Sequence, residues 1–175
     1  MHDEDELLAV RCQLGDRDAL DEMVFRWHSP LWRYARRVAG EDAAMDVVQE
    51  TWLRVIRGLP RLKEPARVRA WVFGIQRRVL MDRLRAQYAA ASFVDIEVVD
   101  SAGGQMDALE AEANDEALQR ALEALPVIER DVLALFYLRE LSLAEIADVL
   151  AIPSGTVKSR LFRARQMLRA LLQTE

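Results

Sequence analysis

Five basic side chains, Lys158, Arg160, Arg163, Arg165 and Arg169, fall between Ser154 and Leu172 with no acidic residue among them. In a 175-residue chain of net charge -5, this local excess points to a polyanionic partner. Val157, Leu161, Ala164, Leu168 and Leu171 recur in the same stretch at steps of four and three, which puts them on one buried face of a helix. Thr156, Ser159, Arg160 and Arg163 fall on another face, flanked by Lys158. Arginine grips guanine edges through paired hydrogen bonds and Ser or Thr contacts bases, whereas Lys158, Arg165 and Arg169 suit phosphates. The competing explanation is a solvated basic surface.

The preceding residues favour nucleic acid. Leu141 to Leu150 reads as a short helix with Ser142 at its N-cap and Glu145 three residues on, a capping-box pattern. Ala151-Ile152-Pro153 forms a tight turn, and Ser154 is suited to cap the next helix. Two helices joined in this way make a helix-turn-helix whose second member enters the major groove.

Charge elsewhere is segmental. Residues 1–25 hold 2 basic and 8 acidic side chains, residues 26–88 hold 14 and 6, residues 89–126 hold 1 and 9, and residues 127–175 hold 7 and 6. Two blocks able to face nucleic acid are thus separated by an acidic one. No apolar run is long enough for a membrane span, and the start from Asp3 to Glu6 is unlike a signal peptide, so a soluble cytoplasmic protein without membrane insertion is expected. Cys12 is the only cysteine, which excludes an intrachain disulfide, and with His2 and His28 it makes a poor zinc set. Neither a glycine-rich phosphate loop, a His–Glu metal motif nor a supported nucleophile–base pair is present. Neither enzymatic activity nor a cofactor is expected.

Sparse proline and glycine, with helical apolar spacing nearly throughout, predict an all-α protein of two small helical domains joined by a flexible linker, the C-terminal one a helix-turn-helix. A first helix runs from about Glu4 to Leu14. A second starts near Asp18 and bends where Ser29-Pro30 restarts it, with Leu31, Tyr34, Ala35 and Val38 inward. Asp42 is placed to cap a third, whose buried stripe reads Ala44, Met45, Val48, Trp52, Val55 and Ile56. After Pro65 a long helix carries Val68, Trp71, Val72, Ile75, Val79 and Leu84 inward, with Arg69, Gln76 and Arg83 in one outer row and Arg78 with Arg85 in another. Trp71 reads as packing, while Phe73 is open between packing and base stacking. Four segments make one helical bundle over residues 1–88. Residues 89–114 break the pattern around Gly103-Gly104 and read as an acidic linker, able to span roughly 85 Å if extended. Its carboxylates, Asp95, Glu97 and Asp100 among them, are suited to fold over the basic helices and weaken free DNA binding. The second domain covers residues 115–175, with Leu118, Leu122 and Leu125 leading to Pro126 and a helix from Ile128 to Leu138.

Asp46-Val47-Val48-Gln49-Glu50-Thr51-Trp52-Leu53-Arg54-Val55 resembles the second conserved region of the extracytoplasmic-function (ECF) sigma factors of bacterial RNA polymerase. The resemblance continues through Ala70-Trp71-Val72-Phe73-Gly74-Ile75 and Asp82-Arg83-Leu84-Arg85. It resumes in the fourth region with Leu141-Ser142, Glu145-Ile146-Ala147 and the run from Gly155 to Arg165. It implies a dissociable promoter-specificity subunit. Asp46, Gln49, Glu50, Trp52 and Arg54 would dock on the clamp helices of the largest polymerase subunit. The following basic helix, with Arg69, Gln76, Arg77, Arg78, Arg83 and Arg85, would engage and melt the minus-ten element. The last helix, with Ser154, Thr156, Lys158, Ser159, Arg160, Arg163 and Arg165, would read the minus-thirty-five element. The linker would thread toward the RNA exit path, and an anti-sigma factor would hold the protein inactive.

Three positions depart from the family pattern. Arg78 stands where Asn is common, Ala151 where Gly is common, and Arg67 and Arg69 flank Val68 where an aromatic is common. The competing function is a helix-turn-helix regulator of the response-regulator type, binding DNA without sigma activity. The N-terminal half argues against it, because it lacks the alternating strands and helices of a receiver domain.

Overall fold

The computed structural model describes residues 2–90, 115–137 and 141–173. Among these, all regular structure is helical, and the chain divides into two compact units, Met1–Ala86 and Gln87–Glu175.

The first unit begins with α1 (His2–Gln13) and α2 (Arg17–Ala39). Gly15, at φ 86°, turns the chain between them, and Asp16 caps α2 by accepting from the Ala19 N–H at 3.1 Å. That bond, with the Arg11 guanidinium beside it, holds the Asp16 carboxyl below its ordinary pKa. The cap therefore sits two residues before the Asp18 start read from sequence. Nor does Pro30 interrupt α2. It lacks only one donor, and its ring is buried on the same side of the helix as Trp27, Leu31 and Tyr34, so the helix runs on through it.

Gly40, at φ 84°, closes α2 and opens α3 (Glu41–Gly58). Asp42 lies inside the first turn of α3, where its charge suits the helix dipole, and the N-cap is Gly40 without a side-chain bond. The buried face of α3 is Ala43, Ala44, Val47, Val48, Thr51, Trp52 and Val55. Met45 and Ile56, expected inside, are 58% and 46% exposed. Thr51 enters the core because its hydroxyl donates to the Val47 carbonyl at 2.7 Å, which removes the cost of burying it.

Two 3₁₀ turns, Leu59–Arg61 and Pro65–Arg67, lead into α4 (Val68–Ala90). Gln13 Nε2 donates to the Leu59 and Leu62 carbonyls at 3.0 and 2.8 Å, fastening the end of α1 to the first turn. In α4, Val68, Val72, Phe73, Ile75, Val79 and Leu80 are buried. Phe73 is thereby settled as core, tilted against Tyr34 with ring centroids 6.0 Å apart. Trp71 and Leu84 are only half-buried. The Trp71 ring lies over Gly58 so closely that a Cβ there would meet it at 2.9 Å.

In the second unit α8 (Ser154–Gln173) packs against α5 (Asp115–Ala124), α6 (Val127–Tyr137) and α7 (Leu143–Leu150). Val157, Leu161, Ala164 and Leu168 meet Leu122, Leu125, Val132, Leu135, Ile146 and Leu150 in its core. Burying each such side chain contributes about 1.5–3 kcal/mol. Helix α4 carries Ala89 and Ala90, the first residues assigned to the linker. The rest of that segment, including Asp95, Glu97, Asp100 and Gly103-Gly104, lies outside the described residues.

Candidate nucleic-acid interface

The approach to α8 is built as its sequence requires. Ser142 Oγ accepts from the Glu145 N–H at 3.2 Å and the Glu145 carboxylate accepts from the Ser142 N–H at 2.8 Å, closing a capping box on α7. Ala151 then adopts φ 55°, ψ 44°, the left-handed conformation that ends α7 and aims the chain into α8. A residue with a Cβ is strained there, which is the consequence expected of alanine in place of glycine. Ser154 is the first residue of α8. Its cap is supplied by the Pro153 carbonyl, which accepts from Thr156 and Val157 at 2.9 and 3.1 Å.

The basic residues of α8 then separate. Ser154 and Lys158 are exposed, and Thr156, Ser159 and Arg160 half-buried, so all five reach the surface of the first two turns. Ser159 Oγ donates to the Thr156 carbonyl at 3.0 Å. Arg163 is different. Its guanidinium pairs with Glu129 of α6, whose side chain is 4% exposed. The expected base reader is therefore held by a buried carboxylate, which would be costly to leave alone. Arg165 lies over the rings of Phe136 and Tyr137, 4.8 and 5.7 Å from their centroids, and so clamps α8 to α6. Phe162 and Gln166 reach the surface three and seven residues after Ser159, on its side of the helix.

Helix α4 divides its expected DNA-binding set more sharply. Arg69 is 6% exposed and bonds with Nε to Asp5 at 3.0 Å, and its Nη2 pairs with the same carboxylate. Arg26 of α2 holds the other oxygen of Asp5 at 2.8 Å, and this bond raises its pKa above the ordinary value despite desolvation. Gln76 is fully buried and donates to the Leu31 carbonyl at 2.6 Å. Neither can meet DNA, since each is spent joining helices inside the bundle. Arg77 is half-buried, while Arg78 and Arg85 are exposed, the last 3.2 Å from Asp82. Arg83 reaches Asp46 of α3 at 3.2 Å.

On α3, Asp46, Gln49 and Arg54 are exposed and Glu50 half-buried. Glu50 and Arg54 pair at 2.8 Å, a bond that raises the Arg54 pKa, and Arg54 also approaches Asp82 of α4 at 3.6 Å. Trp52 is 8% exposed and belongs to the core, so it is withdrawn from the docking face. In its place the exposed side of α3 carries Met45, Leu53 and Ile56. The sequence had marked Met45 and Ile56 as core, because apolar character alone does not fix the phase of a helix.

Comparison with known proteins decides the family. The family model for Sigma-70 region 2 matches residues 23–89, and that for Sigma-70, region 4 matches residues 115–168. The ECF RNA polymerase sigma factor SigM of Mycobacterium tuberculosis is 36% identical over 171 residues, covering 95% of this chain and 83% of that protein. This chain belongs to the ECF sigma factors. A second family member, SigW of Bacillus subtilis, is 29% identical over 172 residues, covering 91% of each chain. Among solved structures, CnrH in complex with the cytosolic domain of CnrY matches this ECF sigma factor over 98% of both chains, with a TM-score of 0.75 and 28% identity. As an alternative sigma factor the protein directs promoter-specific transcription, with core RNA polymerase and promoter DNA as partners. Sigma factors are transcription regulators, and no helix among the described residues is long and apolar enough to cross a membrane.

Proposed function

We propose that the labour of this sigma factor is divided among three surfaces. The exposed start of α8, with Ser154, Thr156, Lys158, Ser159 and Arg160, reads the minus-thirty-five element from the major groove. Arg77, Arg78 and Arg85 on α4 bind backbone phosphates at the minus-ten element. The wet face of α3, with Asp46, Gln49, Glu50 and Arg54 around Met45, Leu53 and Ile56, docks on the clamp helices of the polymerase. Apolar anchors ringed by charged side chains are the usual anatomy of such a contact. On this reading residues 1–88 and 115–175 are the two working domains, 89–114 connects them, the protein acts in the cytoplasm, and catalysis belongs to the polymerase. That CnrH is solved with a piece of CnrY supports a protein inhibitor here too.

The observation that carries the upstream assignment is the capped α7, the left-handed turn at Ala151 and the exposed polar opening of α8. The test is transcription in vitro from a genomic promoter library, with core polymerase and with or without this chain. New promoter-specific starts are expected, lost on Arg160→Ala at promoters with the upstream element. DNA bound by the protein alone, with no association with polymerase, would instead favour a free-standing regulator.

A further inference from the structure

Helix α1 is apolar on two sides. Its inner side, with Leu8 and Ala9, is sealed in the core of the first unit. On the outer side Leu7, Val10 and Leu14 follow one another at steps of three and four, the spacing of a coiled-coil seam. Leu14 keeps the helical phase, because its N–H donates to the Val10 carbonyl at 3.0 Å. Leu7 is 61% and Leu14 82% exposed, with Val10 half-buried between them. Helix α2 adds Phe25, which is 89% exposed. Ion pairs between the two helices fix their register, since Arg26 reaches Glu4 at 3.9 Å and Arg11 reaches Glu22 at 3.4 Å. Residue 4 thus lies opposite 26 and residue 11 opposite 22, which brings Leu7 level with Phe25 across the row of paired charges. A helix apolar all round is normally buried all round, so the outer stripe calls for a partner.

Charge decides what that partner is. Arg11 is paired with Asp16 and Glu22, and Arg26 with Asp5 and Glu22. Asp3, Glu6, Asp18 and Asp21 are all exposed on the same two helices, with Arg17 as the exposed cation among them. Such a rim repels nucleic-acid phosphates, and a second copy of the chain would set acid against acid. We propose that the outer face of α1 and α2, built from Leu7, Val10, Leu14 and Phe25 within this acidic rim, docks a basic amphipathic helix of another protein. Apolar side chains of that helix pack along the stripe, and its Lys or Arg residues beside them meet the exposed carboxylates. Leu7 and Leu14 are two helical turns apart, about 10.5 Å along the axis, which matches the repeat of such a helix. The face shares no residue with the surfaces assigned above to polymerase and to DNA.

The test titrates the full chain into a labelled synthetic peptide of about three heptads, with Leu at the a and d positions and Lys elsewhere, and follows fluorescence anisotropy. A peptide of the same composition in scrambled order and one with Glu in place of Lys serve as controls. The wild-type chain should bind the patterned Lys peptide and neither control. Leu7→Ala and Phe25→Ala should each weaken binding about 5- to 30-fold, and the Asp18→Lys/Asp21→Lys double variant should weaken it and flatten its salt dependence. Leu7 and Phe25 are exposed, so their truncation leaves the fold intact, and promoter-specific starts in vitro should not change. A wild-type chain that binds no patterned peptide overturns the proposal, as does equal binding of the scrambled peptide or unchanged affinity in the Leu7→Ala/Phe25→Ala double variant. Self-association of the wild type that this double variant abolishes, with no peptide bound, overturns it in favour of a second copy. Loss of core-polymerase association in the same variant overturns it in favour of a polymerase contact.

Discussion

Helices α4 and α8 are both rich in arginine and both were expected to face DNA, yet they use their charge differently. In α4 the division is spatial: Arg69 and Gln76 are sealed in the bundle, and Arg78 and Arg85 remain outside. In α8 it runs along the axis: the first two turns present Ser154, Thr156, Lys158, Ser159 and Arg160, whereas Arg163 and Arg165 fasten the helix to α6. An arginine on either helix is thus a strut or a solvent-facing cation, and its neighbours decide which. The strut in the first unit is better buried, with the Arg69 and Asp5 side chains at 7% and 4% exposure against 34% for the Arg163 side chain.

That ranking sets the expected effects. Arg69→Ala leaves buried Asp5 held by Arg26 alone and should destabilise the protein by about 3 kcal/mol, the lower end for a broken buried pair, read by urea unfolding. Arg78→Ala should move stability by no more than about 0.5 kcal/mol while weakening DNA binding. If Arg69→Ala unfolded like wild type but lost DNA affinity, the split within α4 would be wrong. Arg163→Ala should cost about 1–3 kcal/mol by leaving Glu129 unpaired, and pairing it with Glu129→Gln should recover part of that loss. Arg160→Ala should instead change base preference at near-native stability. An altered preference with native stability in Arg163→Ala would move that residue back to the reading face.

The two units also differ at a turn. Gly58 is required because Trp71 occupies the space of a side chain, so Gly58→Ala should destabilise by about 1–3 kcal/mol through overpacking. At Ala151 the strain is already present, and Ala151→Gly should stabilise by about 1 kcal/mol. Thermal unfolding of the two variants should shift in opposite directions, and a common direction would remove the distinction.

Much of the architecture was legible. Leu31, Tyr34, Ala35 and Val38 are all buried as their spacing predicts, and the Ser142–Glu145 capping box is present with both bonds. Local chemistry is enough for such features, since each depends on residues within one or two turns. The site was less legible. Arg69 and Asp5 are 64 residues apart in the chain, and Arg163 and Glu129 are 34 apart. Nothing in the periodicity of α4 or α8 distinguishes a guanidinium that finds a buried carboxylate from one that finds water. Likewise Trp52 and Ile56 are both apolar and one turn apart, but only the first meets the core.

The amino-acid sequence by itself determined the helices, the turn before α8, the concentration of positive charge on particular segments and the family motifs, because these follow from backbone preference and spacing along one chain. Only the tertiary structure decided which arginines hold the bundle and which meet solvent, that Phe73 is core, and that Leu7 and Phe25 face outward together. Helical phase limits which residues share a face. Which face is buried depends on the packing of helices distant in sequence, and there the energy of an unpaired buried charge outweighs any local preference.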